Sequence, residues 1–145
     1  MTQIDFYTHV QDKQQLAFRL SAKALEQGLR VFVLVADEAA AAKLDKELWI
    51  TPPTGFLPHC RARHPLAAVT PIIVDHDPGG DERDQVLLNL GNARPPFFSR
   101  FERLIEIVST NEEDRQAART RFRFYRDRGY EIRSHDMSQL GKRGS

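Results

Sequence analysis

The chain has 145 residues, a length typical of one compact domain that can bury a hydrophobic core. Its 41% hydrophobic and 28% charged residues are ordinary for a soluble globular protein and argue against disorder. A single cysteine, Cys60, excludes an internal disulfide and a four-cysteine zinc site, and it favours a reducing compartment. No stretch approaches the roughly 20 apolar residues of a membrane span, and residues 1–10 lack the features of a signal peptide, so we expect a cytoplasmic protein.

Apolar patterns in the first part of the chain predict alternating strands and helices. A strand over residues 3–7 precedes a helix over 13–27, in which apolar residues recur every fourth position. Residues 30–36 are almost continuously apolar and β-branched, which is typical of a strand covered on both faces. Asp37 is placed to cap a second helix, which we expect to end near Trp49, before two prolines.

The rest of the chain continues the same alternation. We interpret two segments rich in turn-forming residues as loops: 51–65 and 75–84. We predict four further strands: 69–74, 85–90, 104–108 and an edge strand at 130–133. We predict two further helices: a short one over 96–101 and a longer one over 112–128 that ends at Gly129.

This alternation predicts an α/β fold of the broad Rossmann-like class, in which a mostly parallel sheet carries helices on both faces in three layers. In nucleotide-binding members of that class, a glycine-rich loop follows the first strand, but residues 8–13 contain no glycine. We therefore expect no nucleotide-binding loop and no cofactor. We assign residues 1–137 to this single domain and 138–145 to a polar tail, for which disorder is left open.

Positive charge is concentrated near the C-terminus. The net charge is only +1, yet residues 115–128 hold six arginines and one aspartate, or +5, which leaves −4 elsewhere. Because successive helical residues turn by about 100°, the last helix places five side chains on one narrow face: Arg115, Arg119, Phe122, Arg123 and Arg126. Such a face suits phosphates, with the ring as a stacking platform, or carboxylates bound through paired hydrogen bonds; an ordinary exposed charged helix is the alternative.

A second candidate surface follows the second helix. Trp49, Phe56 and Leu57 are large apolar residues beside three prolines, in a stretch that periodicity does not place in the core. Aromatic side chains on a stiff loop suit a protein partner, because they bury much area and lose little rotamer freedom. The alternative is a loop that folds back on the core.

Potential metal ligands occur in the two loops. His59, Cys60 and His64 lie close in sequence, and Asp75, His76 and Asp77 are consecutive. Zinc ligands are usually held by turns or helix faces, whereas these residues lie on separate loops whose relative placement the sequence does not reveal. We therefore interpret them as solvated loop residues and expect no metal site and no catalytic residue.

Several segments, taken in order, resemble the chi subunit family of DNA polymerase III. The resemblance covers most of residues 3–133, and the combination of segments is specific. It rests on the aromatic pair Phe6-Tyr7, the apolar strand and acidic helix start at 31–38, the LDKELW segment at 44–49, the FLPH segment at 56–59, and the arginine-rich run at 115–130.

The resemblance implies a non-catalytic accessory subunit in DNA replication, within an assembly that has DNA-directed DNA polymerase activity. Such adaptors link the clamp loader, through the psi subunit, to the acidic, phenylalanine-terminated tail of single-stranded-DNA-binding protein, and their DNA contact is mainly indirect. Carried over by motif, the tail site would consist of Arg115, Arg119, Phe122 and Arg123, with Arg126 as a neighbour. The psi-binding surface would consist of Trp49 and Phe56, and an accessory repair helicase is a competing partner on that surface.

The resemblance has departures. Arginine stands at Arg115 and Arg123 where lysine is familiar, and Phe122 replaces a tyrosine, so charge is kept and a hydroxyl is lost. Residues 61–71 and 75–84 match poorly, and we assign them no role.

Two other functions stay open at the level of sequence. A module that binds single-stranded nucleic acid directly would use the same arginines, but it would need several stacking residues, and only Phe122 and Tyr125 are near the patch. A small hydrolase would use His59, His64 or the cluster at 75–77, and no motif supports it.

Overall fold

The computed structural model describes residues 1–50 and 57–138, in which strands and helices alternate along the chain. The strands are Gln3–Val10 (β1), Val31–Leu34 (β2), His59–Cys60 (β3), Ile72–Asp75 (β4), Val86–Asn89 (β5), Arg103–Ser109 (β6) and Ile132–Asp136 (β7). The helices are Lys13–Glu26 (α1), Glu38–Ile50 (α2) and Glu112–Asp127 (α3). Two short 3₁₀ turns, Ala67–Val69 and Phe98–Arg100, lie in the connections.

The seven strands of the described residues belong to one sheet, in the order β3-β4-β2-β5-β6-β1-β7. Every neighbouring pair is parallel. The central strands β2, β4 and β5 are buried along their whole length, as expected for parallel strands covered on both faces. The prediction of a parallel α/β sheet is confirmed.

Two hydrophobic cores lie on opposite faces of the sheet. Val31 and Val33 of β2 pack in the core that contains the buried residues of α1 and α2, whereas Phe32 and Leu34 pack in the core that contains those of α3. This alternation is the period-two pattern of a strand. The sheet therefore separates α3 from the other two helices, which gives the three predicted layers.

Each helix begins after a residue whose side chain caps its N-terminus. The Asp37 carboxylate accepts a hydrogen bond of 2.8 Å from the Ala40 N–H at the start of α2, as predicted. Asp12 and Asn111 do the same for α1 and α3. Only Gln11 and Asp12 connect β1 to α1, so this turn has no glycine-rich phosphate loop.

Three predicted boundaries were wrong. The loop predicted at 51–65 contains the two-residue strand β3, which is too short to show an alternating pattern. The strand predicted at 69–74 begins only after Pro71, since the preceding residues form a 3₁₀ turn. The helix predicted at 96–101 is reduced to a single 3₁₀ turn.

The edge strand β7 is also displaced from its predicted position. Tyr130 donates its N–H to the Tyr125 carbonyl and so belongs to the end of α3, where Gly129 has a φ of 83°. Strand β7 therefore begins at Ile132 rather than at Tyr130. It still forms an edge of the sheet, as predicted. Across residues 1–50 and 57–138, the structure contains no helix long and apolar enough to cross a membrane.

Candidate functional site

The face of α3 that points to the sheet is buried. Ala118, Arg121 and Tyr125 of this helix lie in the interior. Arg121, one of the six arginines of residues 115–128, is therefore not exposed. Its guanidinium is instead committed to buried partners.

The buried partner of Arg121 is Glu106 of β6. The Glu106 carboxylate accepts hydrogen bonds from Arg121 Nε at 3.2 Å, from the Tyr125 hydroxyl at 2.7 Å and from Asn89 Nδ2 at 2.9 Å. Burial raises the pKa of Glu106, and Arg121 and the other two donors act against that shift. Sequence reasoning missed this network, although a glutamate inside the apolar run of β6 was a signal for it.

A cavity of about 400 Å³ lies along one edge of this buried face, between α3 and the strands β1, β6 and β7. It has an apolar part that consists of Phe6, Val108, Ala118 and Phe122. Its polar part consists of Arg115, Arg119, Arg123, Thr8, His9 and Ser134. Four of the five predicted tail-site residues therefore line one cavity, and the fifth, Arg126, does not.

The arginines at the cavity are weakly engaged within the protein. Arg115 and Arg119 donate to the same residue, Glu112, over 3.3 and 3.4 Å. Such exposed pairs contribute little to stability. Arg123 is exposed and has no ion pair with any residue that the structure describes. Three guanidiniums are thus available to an anion.

Arg126 differs from the other arginines of this face. It pairs with its neighbour Asp127 at 3.1 Å and lies away from the cavity lining. Helical spacing predicted that Arg126 would lie beside the tail site. Its side chain is instead paired with the carboxylate of Asp127.

Phe122 contributes both to the hydrophobic core and to the cavity. Its ring is half-buried and packs edge-to-face on Phe6, with ring centres 5.4 Å apart. The same ring also lines the cavity. Phe122 therefore belongs to the edge of the core and to the candidate site at once.

The N-terminal end of α3 is anchored to the sheet. Asp114 accepts hydrogen bonds from the Ser109 N–H at 2.8 Å and from Lys13 Nζ at 3.1 Å. Burial acts to raise the pKa of Asp114, but these donors hold the pKa below its usual value. The anchor sets the position of the first cavity arginine, Arg115, in the next residue of the chain.

The second predicted surface is described only in part. Trp49, at the end of α2, is 53% exposed, and its ring lies 4.4 Å from that of His59. Phe56 lies outside the described residues. Leu57 is buried in the core, so the loop folds back on the core at this position.

The interpretation of His59 and Cys60 as solvated residues was wrong. Both form β3, which is buried against β4. The His59 Nδ1 and Nε2 atoms lie 2.7 and 3.1 Å from the carbonyl oxygens of Leu57 and Asp45. Each ring nitrogen therefore has a backbone acceptor within hydrogen-bond distance, and its N–H tautomer decides which of the two bonds forms. His64, in contrast, is exposed.

In the cluster at 75–77, the interpretation of Asp75 as a solvated residue was also wrong, since it is buried at the end of β4. Asp75 and His76 come together with Glu38, and potential ligand atoms of the three lie within 4.8 Å of one another. Arg61 donates hydrogen bonds to Glu38 at 2.6 Å and to Asp75 at 2.9 Å, so one guanidinium is already paired with both carboxylates. Burial acts to raise the pKa of Asp75, but Arg61 and two backbone N–H groups lower it below its usual value.

Comparison with known proteins agrees with the sequence resemblance. The family described as "DNA polymerase III chi subunit, HolC" matches residues 1–133. A relative from Pseudomonas aeruginosa, named DNA polymerase III subunit chi, is 37% identical over 144 residues, which cover 97% of this chain and all of that protein. Proteins of the same name from Escherichia coli and Haemophilus influenzae are 28% and 26% identical, over 82% and 86% of this chain and 82% and 87% of their own lengths. The chain therefore belongs to the chi-subunit family of DNA polymerase III and is an accessory subunit in DNA replication.

Proposed function

We propose that this protein is a non-catalytic adaptor that binds the C-terminal tail of single-stranded-DNA-binding protein in the cavity beside α3. A second surface, around Trp49 and Phe56, binds the psi subunit. The two contacts together link the clamp loader to protein-coated DNA, so contact with DNA itself is mainly indirect.

The observation that carries the proposal is the composition of the cavity. The apolar part of the cavity, which we call its floor, includes Phe6 and Phe122 and lies directly beside Arg115, Arg119 and Arg123. A peptide that ends in acidic residues and a phenylalanine offers matching chemistry, since its ring fits the floor and its carboxylates fit the guanidiniums. Burial of one aromatic side chain contributes about 1.5–3 kcal/mol, and a charge-assisted hydrogen bond contributes a similar amount.

Arg119 is central to this arrangement. It lies one helical turn from Arg115 and from Arg123, and all three line the cavity. Its own pair with Glu112 is long and exposed, so a ligand carboxylate replaces that partner at little cost.

Direct binding of single-stranded nucleic acid is the runner-up, and the geometry favours it less. Tyr125, the second ring near the patch, is fully buried and donates to Glu106. Phe124 is covered by Arg94 and Arg128, whose guanidiniums lie 3.7 and 3.5 Å from the ring centre. A continuous row of stacking platforms, which such binding requires, is not present among these rings.

The psi-binding surface rests on the family resemblance and on the exposure of Trp49. We expect Trp49→Ala to weaken psi binding by about 2 kcal/mol, because exposed tryptophans are frequent interface hot spots. Binding of the tail peptide should survive the change. Pull-down with psi checks the first expectation, and unchanged psi binding would contradict it. The accessory repair helicase would compete for the same surface.

A direct titration tests the adaptor function. Calorimetry compares the affinity of the protein for two ligands. One is an acidic peptide that ends in phenylalanine, and the other is a single-stranded oligonucleotide of similar charge. We expect saturable binding of the peptide and much weaker binding of the oligonucleotide. The reverse order would favour the nucleic-acid-binding alternative.

A further inference from the structure

The wall of the cavity opposite α3 is formed at an irregularity in β1. Tyr7 pairs with Ile107 and Val10 pairs with Ser109, so two residues of β1, Thr8 and His9, lie opposite the single residue Val108. This arrangement is a β-bulge. Bulges are frequent beside functional sites, where they redirect a side chain.

The bulge holds His9 in an unusual backbone conformation. His9 has a φ of 56°, in the left-handed region that glycine normally occupies. Neighbouring residues of a regular strand point to opposite faces, yet Thr8 and His9 both line the cavity. The backbone strain at His9 thus coincides with a side chain that is directed to the site, a combination that is typical of functional residues.

The imidazole of His9 lies beside a carboxylate of β7, but its buried Nδ1 has no hydrogen-bond partner among the described residues. Its Nδ1 lies 3.2 Å from a carboxylate oxygen of Asp136 in β7, and the side chain remains 41% exposed. It belongs to the same cavity as the apolar floor residues Phe6 and Val108, which lie on β1 and β6.

We propose that His9 is a specificity-determining residue of this cavity, whose ring packs against the terminal aromatic side chain of a bound acidic peptide. The guanidiniums of α3 bind the carboxylates of the peptide, and His9 in the bulge of β1 contacts the aromatic side chain at its C-terminus. This inference rests on the proposed function and extends it to a residue on a different element of the fold.

The test is a double-mutant cycle between His9 and the last residue of the peptide. His9→Gly removes the ring and keeps a residue that adopts the left-handed conformation without strain, so the melting temperature should stay the same or rise. Affinity for the full acidic peptide should fall about five- to tenfold, the size of one lost aromatic contact. For a peptide that lacks the terminal phenylalanine, the same substitution should change affinity less than about twofold.

Control variants distinguish a wrong assignment of His9 from a wrong proposed function. His9→Asn keeps a side chain that tolerates the left-handed region and should reproduce the loss of affinity. If Arg119→Ala weakens binding but neither His9 variant does, the assignment of His9 is wrong and the adaptor function stands. If Arg119→Ala also has no effect, the proposed function itself fails. If both His9 variants fail to fold, His9 is a structural residue and the assignment is overturned.

Discussion

The two faces of α3 use the same residue type in opposite ways. Arg121 has a side chain that is only 3% exposed, and it pairs with the fully buried Glu106. Arg119, two residues earlier, is 56% exposed and has only a 3.4 Å contact with Glu112. One arginine holds the helix to the sheet, and the other is available to a ligand.

The difference shows that burial, rather than residue type, determines what an arginine does. A buried charge must be paired, because an unpaired charge in the interior has lost its hydration and has gained no compensating partner. An exposed arginine contributes little to folding and can exchange its partner for another carboxylate. The buried face should therefore control stability, and the exposed face should control binding.

The largest effect is expected from Arg121→Ala. It leaves the Glu106 carboxylate buried without its cationic partner, which should lower the free energy of unfolding by roughly 3–5 kcal/mol. Arg119→Ala is the matched control on the same helix and should change it by less than about 0.5 kcal/mol. Urea denaturation measures both. Similar losses in the two variants would contradict the division of the helix into a structural and a binding face.

A smaller effect is expected at the anchor of α3. Asp114→Asn weakens the hydrogen bond to Ser109 and removes the charge beside Lys13, which should cost about 1–2 kcal/mol of stability at neutral pH. The pKa of Asp114 is lower in the folded state than in the unfolded chain, so the ionised carboxylate stabilises the folded protein. This contribution is complete at pH values above the usual carboxyl pKa of about 4. It is lost as the pH falls through the lower pKa of the folded state.

The variant and the wild-type protein should therefore converge in stability in acid. Unfolding free energies measured from neutral pH down to about pH 3 follow this convergence. A difference that stays constant over the whole range would show that the Asp114 charge is not its cause.

The exposed face offers a finer comparison between Arg123 and Arg126. Arg123 lines the cavity, whereas Arg126 pairs with Asp127 outside it. Arg123→Ala should weaken binding of the acidic peptide by about 1 kcal/mol, or roughly fivefold. Arg126→Ala should have less than about a twofold effect, and more added salt should reduce the difference between them. Equal losses would indicate a diffuse patch of positive charge instead of a defined site.

Much of the fold could be predicted from the sequence because it depends on local patterns. The buried strand β2, the cap at Asp37 and the helix stop at Gly129 each leave a signal within a few residues. Strand β3 has only two residues and depends on pairing with β4, so no local pattern marks it. The bulge at His9 was equally hidden, since the left-handed position holds a histidine where glycine would have been a signal.

The candidate site was predicted in part for a similar reason. Helical spacing and the family resemblance together selected Arg115, Arg119, Phe122 and Arg123, and the structure brings these to one cavity. They did not reveal Thr8, His9 or Ser134, which reach the cavity from strands far away in sequence. Nor did they show that Arg121 points inward, because its partner Glu106 lies on another element.

The central claim is that the cavity recognises an acidic tail together with its terminal aromatic residue. The most direct measurement is the affinity of wild-type protein and Arg119→Ala for two peptides, one complete and one without its last phenylalanine. We expect Arg119→Ala to weaken binding of the complete peptide about ten- to a hundredfold, as the loss of a charge-assisted contact of roughly 1.5–3 kcal/mol predicts. The wild-type protein should bind the truncated peptide much more weakly than the complete one. Equal affinity for both peptides would contradict the claim, since the cavity would then be a general site for polyanions.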